Sequence, residues 1–151
     1  MDIVVKTYLS SSEILARIER LLAENRPAFH RSPLGEVAGL LTDGRHFSWA
    51  GIYLTFDRKS SAALEESGVH PAQVAVAGTV KKIVVSIKIA GREIGFLNVE
   101  SNRKSAFGPQ DRVLLEGVAG LLARFLTGPG KYLVRKAAQS RRSSLPRAAT
   151  A

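Results

Sequence analysis

The side chains of this chain that could do chemistry are few, and they form no known catalytic set. There is no cysteine, which excludes thiolate nucleophiles, disulfide bonds, zinc-thiolate sites and iron-sulfur clusters. His30, His46 and His70 lack both the i, i+4 pairing and the acidic neighbours of a metal site, so we interpret them as surface or partly packed residues. No nucleophile elbow, dinucleotide-binding turn or phosphate-binding loop occurs. The sequence therefore predicts no catalytic residue, no metal and no cofactor.

Two extended segments carry the remaining candidates. Aromatic and β-forming residues surround Trp49 and Tyr53, which share one face if this segment is a strand. In a second segment, residues 93–100, Asn98 and Glu100 also share a face. These two polar residues either hydrogen-bond a ligand or orient a loop at the end of the strand.

A β-hairpin is the strongest local signal for the elements that position these side chains. Residues 82–90 alternate between two faces, Gly91-Arg92 supplies a two-residue turn that begins with glycine, and residues 93–100 return as a strand. Residues 61–66 are predicted to pair with the aromatic strand. Residues 67–79 are predicted to be a loop, with a short extended piece at positions 74–76.

Three helices flank these strands in the sequence. Ser10 and Glu13 fit a capping box that begins a helix ending near Asn25. Ser32-Pro33 begins a second helix that stops at Asp43-Gly44. A third, long helix begins at Gly108-Pro109, and its apolar stripe consists of Leu114, Leu115, Val118, Leu121, Leu122 and Phe125. The first and third helices have matching stripes, so we expect them to lie side by side on one face of the sheet.

Length and charge indicate one domain with a basic tail. The 151 residues suffice for a single core. The net charge is +9, and residues 131–151 hold six of the 22 basic residues and none of the 13 acidic ones. We expect a domain over 1–130 and a basic, partly disordered tail over 131–151, in which residues 131–139 could form one or two helical turns. The tail is either solvated or in contact with an anionic partner. Every stretch of membrane-spanning length contains charges and no export signal is readable, so we expect no membrane span and a cytoplasmic location.

An ordered set of motifs resembles a GAF domain. The set covers about residues 10–127 and consists of Trp49–Leu54, Gly91–Ser101, Ala106–Asp111 and Leu114–Ala119. The resemblance implies an α/β fold of the α+β type. It implies a six-stranded antiparallel order, with a ligand pocket on one face of the sheet. The N- and C-terminal helices would pack on the other face, where they often form dimers.

Within that family, Trp-x-Gly-x-Tyr most resembles the branch of free methionine-R-sulfoxide reductases, but this chain departs from that branch. Those enzymes work through cysteines. They also hold the substrate ammonium with acidic residues, where this chain has Lys82 and Asn98 and keeps only Glu100. We therefore expect Lys82 to disfavour the ammonium of methionine sulfoxide at this position. Only 18 residues separate Leu64 from Ile83, so the region that covers the pocket is expected to be shortened.

The sequence thus predicts a non-catalytic sensor or dimerising regulatory module whose small-molecule ligand is unknown. The alternative is a diverged relative of the free methionine-R-sulfoxide reductases with lost or altered activity. The candidate pocket consists of Trp49, Tyr53, Lys82, Asn98 and Glu100; the two aromatic residues could instead be core residues. A homodimer through the terminal helices is the expected assembly.

Overall fold

The computed structural model describes residues 9–24, 32–45, 47–57, 60–68, 81–101 and 108–144. Within these ranges the helices are α1 (Ser11–Ala23), α2 (Pro33–Gly44), α3 (Pro109–Leu126) and α4 (Lys131–Ser144). The strands are β1 (Trp49–Thr55), β2 (Ser61–Gly68), β3 (Lys81–Ile89) and β4 (Arg92–Ser101).

The predicted starts of the first two helices are confirmed by side-chain caps. Ser10 Oγ accepts a hydrogen bond from the Glu13 N–H at 3.2 Å, and Ser32 Oγ accepts one from the Leu34 N–H at 3.1 Å. These bonds satisfy N–H groups that have no partner inside the first helical turn. Because such signals are local, the sequence places both starts within a residue.

The strands form one antiparallel sheet with the order β2-β1-β4-β3. β1 lies between β2 and β4, as expected for a strand with apolar residues on both faces, and β2 confirms the predicted partner strand. The described residues thus supply four of the six strands that the GAF resemblance implies. The extended piece expected at residues 74–76 lies outside the described residues.

The predicted hairpin is confirmed, but its turn lies one residue earlier than predicted. Ile89 pairs with Arg92, so the two turn residues are Ala90 and Gly91 rather than Gly91-Arg92. Both have positive φ, 51° and 78°, as a tight turn that follows the twist of the strands requires. A bulge between Ile87 and Lys88 shifts the register near the turn, and strand alternation alone does not reveal such a shift.

Helices cover one face of the sheet, where the core lies. The strand residues of this face are Ala50, Ile52, Leu54, Val85, Ile87, Leu97 and Val99, all buried. α1 and α3 lie side by side as predicted: a Cβ atom at Gly117 would stand 3.1 Å from the Leu15 side chain. The apolar stripes of both helices point into this core.

A buried ion pair links the end of α2 to the first turn of α3. Arg45 Nη2 lies 2.8 Å from Asp111 Oδ1, and the side chains are 8% and 7% exposed. Arg45 Nη1 also donates to the Leu9 carbonyl at 3.1 Å, and Asp111 Oδ2 accepts the Gly108 N–H at 2.8 Å. The pair therefore joins three separate chain segments.

The segment expected to be a partly disordered tail begins with a helix. Leu133, Val134 and Ala137 of α4 are partly buried against the core, and this apolar contact explains why a basic segment folds here. Residues 145–151 lie outside the described residues, and the domain boundary at 130 stays a prediction. α4 turns by 81° relative to α3. No single helix in the described ranges is long and apolar enough to cross a membrane, although the bent α3–α4 pair passes by length and composition.

Candidate functional site

The sheet face opposite the helices gathers all five predicted site residues. Alternation along β1 turns Trp49 and Tyr53 away from the core. In the strand register Glu100 is the partner of both Trp49 and Lys82, and Asn98 is the partner of Gly51. We call this surface the aromatic face and define it by Trp49, Tyr53, Lys82, Phe96, Asn98, Glu100 and Glu66. That these residues contact a ligand stays a prediction.

Tyr53 lies at the centre of the aromatic face and is held on two sides. Its ring stacks on Phe96 with 4.8 Å between ring centroids and 14° between ring planes. Its hydroxyl donates a hydrogen bond to Glu66 Oε1 at 2.9 Å. The ring folds back over Gly51, where a Cβ atom would come within 2.6 Å of it. Glycine at position 51 is therefore what allows the tyrosine to lie flat on the sheet.

Trp49, Asn98 and Glu100 form the inner part of the face. Trp49 is 9% exposed and Glu100 is 5% exposed. Asn98 Oδ1 is buried and has no hydrogen-bond partner in the described part of the chain. A buried acceptor without a partner costs free energy that a ligand donor could recover. The inner part of the face therefore favours a ligand group that donates hydrogen bonds.

Two residues of the aromatic face were missed as site residues by the sequence analysis. Phe96 had a visible signal, since it alternates with Asn98 on the same strand. Glu66 had none, because its position beside Tyr53 depends on the register of β1 and β2, which contains a bulge. The described residues that define the aromatic face thus include two carboxylates, Glu66 and Glu100, and one cation, Lys82, whose side chain is exposed.

The sequence predicts no metal site, and its three histidines were considered as possible ligands. Within the described ranges, no group of three or more histidine, aspartate or glutamate side chains is placed to hold a metal ion. His30, His46 and His70 lie outside the described residues.

Similarity to known proteins is found for the structure of this chain rather than for its sequence. No protein-family model matches the chain, and no curated protein matches it in sequence. The free methionine-R-sulfoxide reductase of Neisseria meningitidis, solved in complex with its substrate, has a TM-score of 0.63 at 20% identity, covering 89% of this chain and 99% of that chain. The GAF domain of an Acinetobacter phosphoenolpyruvate-protein phosphotransferase has a TM-score of 0.63 at 13% identity, covering 82% and 98%. This chain has the GAF fold. The Staphylococcus aureus fRMsr, solved in complex with its substrate, agrees, with a TM-score of 0.62 at 17% identity over 82% and 99%.

The GAF fold confirms the resemblance noted in the sequence and its α+β architecture, with terminal helices on one face of the sheet. The similar structures include both reductases and a domain of a phosphotransferase. Since one fold serves different functions, the function of this chain has to be argued from the side chains of its aromatic face.

The pKa of Tyr53 reports on the burial of this side chain and on its contact with Glu66. Burial raises the pKa of Tyr53 to about 12; the hydrogen bond and negative charge of Glu66 act in the same direction, and a hydrogen bond from Trp49 opposes them. We expect Glu66→Gln to lower this pKa toward the ordinary value of 10.0 without reaching it, because burial remains. The measurement is phenolate absorbance against pH, with Tyr53→Phe identifying the signal of this tyrosine.

The raised pKa of Tyr53 also makes the stability of the folded state depend on pH. The folded state favours the neutral phenol, so its contribution is complete below the unfolded pKa of 10.0 and is lost as the pH rises toward about 12. An unchanged Tyr53 titration in Glu66→Gln would contradict the contact between these two side chains.

Proposed function

We propose that this chain is a non-catalytic sensor module of the GAF fold that binds a small molecule on its aromatic face. The observation that carries the proposal is the stacked Tyr53 and Phe96 pair beside Trp49, bordered by the carboxylates of Glu66 and Glu100. Apolar walls with a few placed polar groups are typical of small-molecule sites. The absence of cysteine removes the thiol chemistry of the reductases that share the fold.

The acceptors of the face indicate the ligand chemistry. Glu66 and the buried Asn98 Oδ1 offer acceptors, and aromatic rings attract cations. An ammonium or amide group fits this side of the face. Lys82 is the exposed partner of Glu100 at the end of the sheet, where it suits a carboxylate of the same ligand. We therefore propose a small zwitterion, of the free amino acid class.

Thermal unfolding with a panel of free amino acids tests the proposal. A ligand at about 100 times its Kd stabilises the folded state by about 2.7 kcal/mol, so at least one panel member is expected to raise Tm by several degrees. Glu66→Gln should remove this shift. Glu65→Gln is the matched control, because the neighbouring Glu65 pairs with Ile52, a residue of the core face, and should keep it. No shift with any panel member, or equal losses in the two variants, would contradict the proposal.

A diverged free methionine-R-sulfoxide reductase is the second candidate, favoured by the fold similarity to two such enzymes. Because this chain has no cysteine, the electrons for sulfoxide reduction would have to come from a reductant other than a thiolate of this chain. Turnover of free methionine-R-sulfoxide by the pure protein would support it and would replace the sensor proposal. Binding of amino acids without turnover would support the sensor.

A homodimer through the terminal helices remains part of the proposal, and it would use their outer faces. The apolar stripes of α1 and α3 are buried in the chain's own core, so they are not free to pair with a second copy. On the outer faces of these helices Val113 is 69% exposed. The exposed pairs Arg17–Glu13 and Arg112–Glu116 also lie there.

A further inference from the structure

A cleft lies along the edge of the sheet, between strand β2 and helix α4. It has a volume of about 700 Å³, within the range of about 300–1,000 Å³ typical of ligand sites. We propose that this cleft binds an amphipathic monoanion, a carboxylate on a short hydrocarbon body. This site is independent of the aromatic face.

The cleft is built where α4 folds back across the sheet edge. α4 turns 81° from α3, and Leu133 and Ala137 form one wall. Leu64 of β2 forms part of the opposite wall. Ala62, also in the wall, pairs with Leu54 of the core face, and Ala63, a further wall residue, pairs with Tyr53. The cleft therefore lies along the outer edge of β2, and Tyr53 itself is not part of its lining.

Phe56 and Ser60, which stand on either side of the β1–β2 connection, also line the cleft. The N–H of Phe56 donates to the Ser60 carbonyl at 3.0 Å, and the Asp57 carboxylate accepts the Ser60 N–H at 2.9 Å. These bonds hold the backbone of Phe56 and Ser60. They also engage the carboxylate of the neighbouring Asp57 with the backbone.

The charge of the lining selects the ligand. Lys136 is the only charged residue among the described residues that line the cleft, and it is exposed at the rim. Four serines, Ser32, Ser60, Ser61 and Ser140, add hydroxyl groups to the same lining, and the Ser32 hydroxyl already accepts the Leu34 N–H. One ammonium with neighbouring hydroxyls suits a carboxylate, because a charge-assisted hydrogen bond is stronger than a neutral one. The apolar walls then cover the hydrocarbon body, whose removal from water favours binding.

Titration calorimetry with octanoate tests this assignment, with octylammonium as the probe of opposite charge. Octanoate is expected to bind and octylammonium is not. Lys136→Gln should weaken octanoate binding about tenfold, the size expected for losing one charge-assisted hydrogen bond. Arg135→Gln is the matched control, since Arg135 is an exposed neighbour on α4 that does not line the cleft, and its affinity should stay unchanged.

Two further variants distinguish binding in this cleft from binding on the aromatic face. Ala137→Phe should fill the cleft and abolish octanoate binding, while Glu66→Gln on the aromatic face should leave it unchanged. The assignment is overturned if octanoate does not bind the wild-type protein, or if Lys136→Gln and Arg135→Gln weaken it equally. Neither result would contradict the sensor proposal, because that proposal depends on Glu66 and on a zwitterionic ligand.

Discussion

Replacing Asp111 by alanine is expected to lower the free energy of unfolding by about 3–5 kcal/mol, the cost of leaving one partner of a buried ion pair alone. The Arg45 guanidinium would lose the carboxylate 2.8 Å away while staying buried. The Gly108 N–H would also lose its acceptor at the start of α3, which adds to the loss. Urea denaturation of the wild type and the variant measures the difference.

The matched control for this prediction is Glu116→Ala on the same helix. Glu116 pairs with Arg112 at 3.5 Å, but both side chains are more than half exposed, so the expected cost is about 0–1 kcal/mol. The double variant Arg45→Met with Asp111→Leu should recover much of the loss, because no buried charge is left alone. If Asp111→Ala lowers the free energy of unfolding no more than Glu116→Ala does, the buried ion pair is not important for stability and the prediction is wrong.

Gly95→Ala is expected to destabilise the protein by about 1–3 kcal/mol, the range for overpacking a well-packed interior. A Cβ atom at position 95 would come within 2.2 Å of the Tyr53 carbonyl oxygen. A main-chain atom inside a sheet cannot rotate away, so β1 and β4 would have to separate locally. Thermal or urea unfolding measures the effect.

The control for Gly95→Ala is the same substitution at Gly120, a glycine with room for a Cβ atom. Gly120 is exposed on α3 and nothing lies within 4 Å of a Cβ atom there, so Gly120→Ala should stabilise the protein by about 0.5–1 kcal/mol through better helix propensity. Opposite signs for the two variants would confirm that close strand contact, rather than loss of glycine itself, decides the cost. Equal signs would contradict it.

Elements with local signals could be predicted from the sequence. The helix caps at Ser10 and Ser32 depend on residues within three positions, and the hairpin depends on alternation in neighbouring segments. Through the GAF resemblance the sequence also placed Trp49 and Glu100 in one candidate pocket, and the strand register makes them partners. The turn was placed one residue late because a positive φ at Ala90 has no strong sequence signal.

Contacts between distant segments could not be predicted in the same way. Nothing near Arg45 indicates that its partner is Asp111, 66 positions away. The role of Gly51 becomes visible only when the Tyr53 ring is seen lying over it.

The sequence alone determined the absence of cysteine thiols, through composition, and the faces of the hairpin strands, through a periodicity that depends only on neighbouring residues. The fold class followed from the resemblance of its ordered motifs to GAF domains. Tertiary structure decided that Glu66 stands beside Tyr53, that Lys136 borders a cleft, and that the basic segment after residue 130 begins as a packed helix. These outcomes depend on strand register and on which apolar surfaces remain to be covered. Both are properties of the assembled core and not of any single segment.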